Sequence, residues 1–183
     1  MIDEQKLALR CKMKDLQAYK QLYEAYADLM FSVCYRYVGD YDLSKDLMHD
    51  GFVLIFSKIE KFTWRGEGSL KAWVLSIQHN VIISHIRKQH FWKEYVIEKS
   101  IEQLKDIPEP ETSEDIPSEI LIRLISELPT SSRTVFNLYV IEGLSHREIA
   151  ELLGIQEKSS SSQLSYARKI LASRINEWRN RNL

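Results

Sequence analysis

The sequence predicts an all-α protein made of two small helical domains joined by a flexible acidic linker, with a helix-turn-helix in the second domain. Three observations predict this class. The 183 residues include only six glycines, and these are concentrated where helices would end. Apolar residues recur at the helical period, without the sustained alternation of a strand. Residues 97–117 combine three prolines with clustered acids, which is the composition of a linker. We therefore expect domains at 1–96 and 118–183.

The net charge of −1 is unevenly distributed along the chain. Residues 1–96 hold 14 Lys/Arg and 12 Asp/Glu, residues 97–130 hold 3 and 9, and residues 131–183 hold 8 and 5. Two mildly basic parts thus flank an acidic joint. Because a protein that coats nucleic acid is usually more basic, we expect any nucleic-acid contact to be focused and shared with other partners.

The sequence has no feature of a membrane-inserted or secreted protein. No apolar run approaches the roughly 18 residues of a membrane helix, and the start MIDEQKLALR has no signal-peptide core. Cys11 and Cys34 are too few and too far apart for a metal knuckle or a disulfide framework. We therefore expect a cytoplasmic protein, without membrane insertion of its own, whose cysteines are reduced packing thiols.

The second of the first two predicted helices carries a polar strip. One helix runs from about Leu16 to Val38 and ends at Gly39, and the next runs from about Leu43 to Lys61. The second is apolar almost all round, which predicts a central position in its domain. Its exception is one strip of polar side chains, formed by Asp46, His49, Asp50 and Ser57.

Three interpretations of this strip stay open. Asp46 and Asp50 are like charges one turn apart, which is unfavourable unless a cationic group meets them, so the strip could bind a protein. It could also be a plain solvated helix face. With His49 it could form a metal or acid/base site, although no other helix shows a matching Glu/His pair.

The glycine-rich loop TWRGEGS at 63–69 is too short and irregular to cradle a phosphate. Trp64 and Arg65 precede its two glycines, and an exposed aromatic beside a cation suits stacking on, or capture of, unpaired bases. The alternative is an ordinary connection between helices in which Trp64 folds onto the core.

The third helix is predicted from about Leu70 to Gln89. Its buried apolar face is expected to hold Leu70, Val74, Ile77 and Val81. Its other side holds an aromatic ring, hydroxyls, an amide and cations, which together make a nucleic-acid track. These residues are Trp73, Ser76, Asn80, Ser84, Arg87 and Lys88. His79, His85 and His90 do not share a helical face, so they are poor metal ligands as a set.

The second domain is predicted as a four-helix module that ends in a helix-turn-helix. Helices are expected at about Ser118 to Leu128 and before Gly143. Ser145 and Glu148 then have the spacing of a capping box, which predicts a helix start. Gly154 follows where that helix must stop and turn sharply.

The last helix has an apolar face at Leu164, Ala167 and Leu171 and a polar face that suits base edges and phosphates. That polar face holds Lys158, Ser161, Ser162, Ser165, Tyr166 and Lys169. Two alternatives stay open. The four serines at 159–162 could be a flexible linker, and the helical hairpin could simply pack in a bundle.

Four segments together resemble the extracytoplasmic-function (ECF) sigma factors, two-domain bacterial subunits for transcription initiation. They are SKDLMHDGF at 44–52, WVLSIQHNVIISHIRK at 73–88, ELPTSSRTVFNLYVIEGLSHREIAELLGI at 127–155 and QLSYARKIL at 163–171. The resemblance covers about 16–171, except for the linker.

The resemblance implies a role for each polar surface. Asp46, His49 and Asp50 would bind the clamp of core RNA polymerase. The −10 promoter element would be bound, as its strands open, by Trp64, Arg65, Trp73, Ser76, Asn80, Ser84, Arg87 and Lys88. The −35 element would be recognised by Lys158, Ser159, Ser161, Ser162, Gln163, Ser165, Tyr166, Arg168 and Lys169.

The sequence departs from the family pattern at four of its positions. His49 and Asp50 stand where the family often has Gln and Glu, and both remain polar. Ser84 replaces a frequent Asp. Ser160 lies on the buried side where the family usually has Val, which predicts a loosely seated recognition helix. The base preference of the family therefore cannot be carried over.

The resemblance predicts a promoter-recognition subunit that has no catalytic chemistry or cofactor, aids −10 melting and is masked by an anti-sigma factor. Its partners are core RNA polymerase and promoter DNA, and its acidic linker is expected to thread a basic channel of the polymerase. One rival is a stand-alone helix-turn-helix regulator whose N-terminal helices dimerise or sense. A second is an all-α enzyme that uses the Asp/His strip.

Overall fold

The computed structural model describes residues 3–88 and 116–182, and within these ranges the regular structure is entirely helical. The chain divides into two compact units, Met1–His85 and Ile86–Leu183. The predicted linker at 97–117, its path through the polymerase and His90 lie largely or wholly outside the described residues, so the expected boundaries at 96 and 118 stay predictions. None of the helices in the described ranges is long and apolar enough to cross a membrane.

The N-terminal unit contains α1 (Glu4–Lys12), α2 (Leu16–Val38), α3 (Tyr41–Lys58) and α4 (Ser69–Lys88), the last of which continues past the unit boundary. A 3-10 turn, Ile59–Lys61, follows α3. The bounds of α2 are those predicted. Helix α1 was not predicted, because it is short and buries only Leu7, Ala8 and Cys11.

Short polar side chains fix where the N-terminal helices begin. Asp3, Asp15 and Asp40 accept hydrogen bonds from the first free amides of α1, α2 and α3, which is the usual role of an N-cap aspartate. The cap at Asp40 starts α3 two residues before the predicted Leu43. Gly39 ends α2 in the left-handed conformation at φ 68°, which glycine adopts without steric strain.

The core of the N-terminal unit is formed by the facing sides of α2 and α3, with α1 and α4 contributing. Its largest fully buried side chains are Leu22, Met30, Tyr37, Ile55, Ile59, Leu70, Val74, Gln78 and Ile82. Gly51 allows the closest approach within it. A Cβ atom at this position would lie 1.9 Å from Gln78 Oε1. The missing side chain thus leaves room for a buried polar group.

The C-terminal unit contains α5 (Ser118–Ser126), α6 (Thr130–Phe136), α7 (His146–Leu153) and α8 (Glu157–Asn182). Helix α6 continues into a π-helix, Asn137–Ile141, which the sequence pattern did not predict. The long α8 packs against α5, α6 and α7. One buried apolar cluster joins α8 to α5 and to the residues that flank α5, through Ile116, Leu124, Leu128, Ala167, Leu171 and Ile175. The predicted four-helix module is therefore present.

Candidate functional site

The polar strip on α3 is open to solvent. Asp46, His49 and Asp50 are all exposed, whereas Leu47 and Phe52 on the same helix are buried. The His49 ring stacks on the Tyr23 ring of α2, with centroids 6.5 Å apart. Within residues 3–88 and 116–182, neither aspartate takes part in an ion pair, and no three His, Cys, Asp or Glu side chains lie together as metal ligands. The strip presents two negative charges to whatever approaches α3.

The glycine-rich loop joins the 3-10 turn to α4. Gly66 and Gly68 have φ angles of 113° and 78°, values that disfavour any other residue. Arg65 is exposed and Trp64 is half-buried, so the tryptophan is neither fully displayed nor folded completely into the core. The backbone amide of Arg65 donates to the Ser69 hydroxyl at 3.3 Å. The loop is therefore tied to the first residue of α4.

The polar side chains of α4 line one face of the helix at the spacing that the sequence predicts. Ser76, Asn80, Ser84, Arg87 and Lys88 are exposed, and Trp73 is half-buried with its ring 5.3 Å from that of Phe62. Leu70, Val74 and Ile77 fill the opposite face. Val81, expected on that buried face, is only half-buried. The helix thus displays hydroxyls, an amide and two cations along one side.

The helix-turn-helix has the geometry that its capping residues predict. The Glu148 carboxylate accepts hydrogen bonds from the Ser145 hydroxyl at 2.7 Å and from the Ser145 amide at 2.8 Å, and both bonds lower the pKa of Glu148. The Ser145 hydroxyl in turn accepts from the Glu148 amide. Gly154 ends α7 with φ 70°. The serines at 159–162 lie inside α8 and are not a linker.

Most of the predicted recognition residues of α8 reach solvent. Lys158, Ser161, Ser165 and Arg168 are exposed, and Ser159, Ser162, Tyr166 and Lys169 are half-buried. The Arg168 guanidinium lies 5.8 Å from the centre of the Tyr139 ring. These side chains form one polar surface on the side of α8 opposite its apolar residues.

The structure corrects the placement of Gln163. Its side chain is 4% exposed, because it turns toward α6 and accepts a hydrogen bond from the Ser132 hydroxyl at 2.6 Å. A side chain held in this way does not lie on the surface that the other predicted recognition residues of α8 form. Gln163 was assigned to the −35 element by the family resemblance, whereas the polar face derived from helical spacing does not include it.

Glu4 and Lys12 of α1, for which no role was predicted, contact the glycine-rich loop and the residue that precedes it. The Glu4 carboxylate accepts from the Gly68 amide at 3.1 Å, and the Lys12 ammonium donates to the Phe62 carbonyl at 2.6 Å. These contacts span 64 and 50 residues of sequence. No local pattern could have revealed them.

Comparison with known proteins identifies the family. Residues 22–91 match Sigma-70 region 2, and residues 118–171 match Sigma-70, region 4. The chain is 28% identical over 159 residues to the RNA polymerase sigma factor YlaC of Bacillus subtilis, covering 85% of this chain and 91% of YlaC. It is 24% identical over 153 residues to the ECF RNA polymerase sigma factor BldN of Streptomyces coelicolor, covering 82% of this chain and 58% of BldN. The chain belongs to the ECF sigma factor family.

A solved structure of CnrH in complex with the cytosolic domain of CnrY also resembles this ECF sigma factor. It has 20% sequence identity and a TM-score of 0.46, covering 95% of this chain and 97% of that chain. As a sigma factor, the protein is a transcription initiation factor. The family assignment does not favour the alternative of a stand-alone regulator.

The departure of this sigma factor at Ser160 has a structural counterpart. Ser160 is fully buried, and its hydroxyl lies 3.0 Å from His146 Nδ1 at the start of α7. The His146 ring also stacks on Tyr139, with centroids 4.6 Å apart. A hydrogen bond between α7 and α8 is therefore found where the family pattern predicts an apolar contact. It joins the two helices of the motif at the position from which loose seating of the recognition helix was predicted.

Proposed function

We propose that this sigma factor binds core RNA polymerase through the α3 strip and contacts two promoter elements with separate domains, at 1–96 and 118–183. One observation carries the proposal. The residues assigned to these roles, apart from Gln163, are exposed or half-buried, and all but Trp64 and Arg65 of the loop lie on helices whose other faces are buried. A face that is polar and charged, and that forms no ion pair within residues 3–88 and 116–182, suits a charged partner.

In this proposal the α3 strip meets a basic surface of the polymerase. Asp46 and Asp50 lie one turn apart, and a cationic partner relieves the repulsion between them. His49 adds a ring that Tyr23 holds by stacking. Contacts of this kind give register and speed of association more than raw affinity.

The two DNA contacts divide the work of recognition. The −10 element is bound, as its strands separate, by Trp64, Arg65 and the polar face of α4, since aromatic rings and cations suit unpaired bases. The exposed side chains of α8 read the −35 element as duplex, in the way of a recognition helix. Because the polymerase supplies the active centre, the sigma factor has no catalytic chemistry of its own, and it acts in the cytoplasm. Family membership implies an anti-sigma partner that masks these surfaces.

Co-purification with core polymerase tests the α3 contact. We expect Asp46→Arg and Asp50→Arg each to abolish retention of the large polymerase subunits, because each replaces an attractive charge with a repulsive one. Asp28→Arg is the matched control, since Asp28 is an exposed aspartate on α2. Equal retention of all three variants would overturn the proposed contact.

Run-off transcription tests the function as a whole. Purified core polymerase with the wild-type sigma factor is expected to give discrete transcripts from a small set of genomic fragments. A chain that binds those fragments by itself, with no dependence on polymerase, would instead be a stand-alone regulator. The recovered promoters would also supply the sequences that later experiments need.

A further inference from the structure

One carboxylate joins three segments of the N-terminal unit. Glu4 Oε1 accepts a hydrogen bond from the Tyr26 hydroxyl at 2.8 Å, and Glu4 Oε2 accepts one from the Gly68 amide at 3.1 Å. Burial and the bond to Glu4 raise the pKa of Tyr26, so this phenol stays protonated and remains a donor. The first turn of α1 is thereby linked to the middle of α2 and to the next-to-last residue of the glycine-rich loop.

A second side chain of α1 holds the other end of the loop. Lys12, in the last turn of α1, donates from Nζ to the Phe62 carbonyl at 2.6 Å. The helix between these two contacts is fixed on the unit, because Leu7 and Cys11 are buried. Phe62, which directly precedes the loop, and Gly68, its next-to-last residue, are therefore both anchored to one rigid element.

The Glu4 contact also determines how α4 begins. The Ala72 amide donates to the Gly68 carbonyl at 2.9 Å, the first bond of the helical ladder. The Gly68 amide is thus one of the free donors at a helix start, where a negative charge is favourable. Because Glu4 supplies both the acceptor and the charge, it acts as a cap from a distant part of the chain.

Between its anchors the loop makes two local hydrogen bonds, from the Arg65 amide to the Ser69 hydroxyl and from the Ser69 amide to the Gly66 carbonyl. Cβ atoms built at Gly66 and Gly68 would meet nothing within 4 Å, so the positive φ angles and not crowding explain these glycines. Glycine gives the backbone more freedom than any other residue, so an unanchored loop would sample many conformations. Trp64 and Arg65 lie in this stretch, and their positions depend on its backbone.

We propose that Glu4 and Lys12 are positioning residues, which hold the glycine-rich loop and the start of α4 in the conformation that accepts the unpaired −10 strand. This role rests on the proposed function of the loop. Neither residue needs to touch DNA, because each acts through the backbone of Phe62 or Gly68. Anchoring the loop in advance lowers the entropy lost when the strand binds.

The test measures binding by holoenzyme assembled from core polymerase and full-length sigma factor. Its probe is a single-stranded oligonucleotide carrying the −10 sequence of a promoter recovered by run-off transcription. We expect Glu4→Ala to weaken binding by roughly three- to tenfold, since a hydrogen bond to a charged group is lost. Retention of a duplex −35 fragment and affinity for core polymerase are expected to stay unchanged. Glu24→Ala, which removes an exposed carboxylate of α2, is the matched control.

Two further measurements separate positioning from general stability. Amide hydrogen exchange at Gly68 is expected to accelerate in Glu4→Ala and to stay unchanged in Glu24→Ala. Tyr26→Phe, which frees one carboxylate oxygen, is expected to give a smaller defect and to add nothing in the Glu4→Ala background. Should Glu4→Ala fail to fold, Lys12→Met releases the other anchor while keeping the apolar stem, with Lys6→Met as its control.

The outcomes distinguish this inference from the proposed function. If wild-type holoenzyme does not bind the −10 oligonucleotide, the proposed function fails and the inference fails with it. If wild type binds and both Glu4→Ala and Lys12→Met bind equally well, only the inference is overturned. Parallel losses of −10 binding, −35 retention and core affinity would also overturn it, because they would indicate a purely structural role.

Discussion

The Ser132 hydroxyl donates a 2.6 Å hydrogen bond to the side-chain carbonyl of Gln163, and both residues are buried. This bond joins α6 to the recognition helix α8. A buried polar pair of this kind is favourable only while both partners are present, since the loss of one leaves the other unsatisfied. The bond therefore contributes to the placement of α8 on the rest of its unit.

We expect Ser132→Ala to lower the free energy of unfolding by about 1–3 kcal/mol, because the Gln163 carbonyl would stay buried without its donor. Urea denaturation followed by circular dichroism measures this change. Ser131→Ala, one residue earlier and half-buried, serves as the control and is expected to have little effect. A similar loss in both variants would mean that the bond itself contributes nothing.

Gly51→Ala is expected to destabilise the protein, although alanine ordinarily stabilises a helix relative to glycine. The added Cβ would lie 1.9 Å from Gln78 Oε1 and 2.9 Å from Met30 Cε. Gln78 cannot move freely, because its amide donates to the Leu47 carbonyl at 3.0 Å. We expect a loss of about 1–3 kcal/mol in chemical denaturation. The loss should be smaller when Gln78→Ala is already present, and an equal loss in that background would contradict the explanation.

The pair formed by Arg10 and Asp15 predicts a dependence of stability on pH. The hydrogen bond from Arg10 Nε at 2.8 Å, with help from the amides of Gln17 and Ala18, lowers the pKa of Asp15. A carboxylate whose pKa is lower in the folded state stabilises that state above its unfolded pKa. This stability is lost as the pH falls through the folded pKa.

Asp15→Asn should therefore be less stable than wild type at neutral pH, and the difference should shrink as the solution is acidified below the ordinary aspartate pKa. Urea denaturation across an acid pH series measures both proteins. Asp28→Asn, at an exposed aspartate of α2, supplies the control. A difference between wild type and Asp15→Asn that stays constant with pH would show that the charge of Asp15 is not involved.

The two cysteines are expected to resist thiol reagents in the folded protein. Both are free and buried, and burial raises the pKa of Cys11 to about 11 and that of Cys34 to about 12. Because the thiolate is the reactive form, labelling with a chromogenic disulfide at about pH 8 should be slow and should need opening of the structure. Both thiols should react at once in concentrated guanidinium chloride. Rapid labelling of the native protein would contradict this, and single Cys→Ala variants would identify the residue responsible.

The structural features that could be predicted from the sequence are those that depend on residues close together in the chain. The Ser145–Glu148 capping box, the left-handed Gly154 and the polar strip at Asp46 and Asp50 each depend on side chains within a few positions of one another. All three appear in the structure where the pattern indicates. Family resemblance added the roles of these surfaces, which spacing alone left open.

Features that depend on distant contacts were not predictable in this way. Gln163 was assigned to DNA by the family resemblance, yet its side chain is buried and bonded to Ser132 of another helix. Helix α1 was missed because its stability comes from packing on α2 and on the turn before the loop, and its own pattern is short. Gly51 gave no local signal of the crowding by Gln78, which lies on α4. In each case the deciding partner is far away in sequence.

The π-helix at Asn137–Ile141 makes this part of the chain tolerant of changes in length. A π-turn holds one more residue than an α-turn, and the Glu142 amide closes it by donating to the Asn137 carbonyl at 3.0 Å. Loss of one residue here would close the bulge into ordinary α-helix without breaking the element. Single-residue deletions in evolving copies of this gene should therefore survive here more often than in α7, where a deletion would rotate the capped helix relative to its own core.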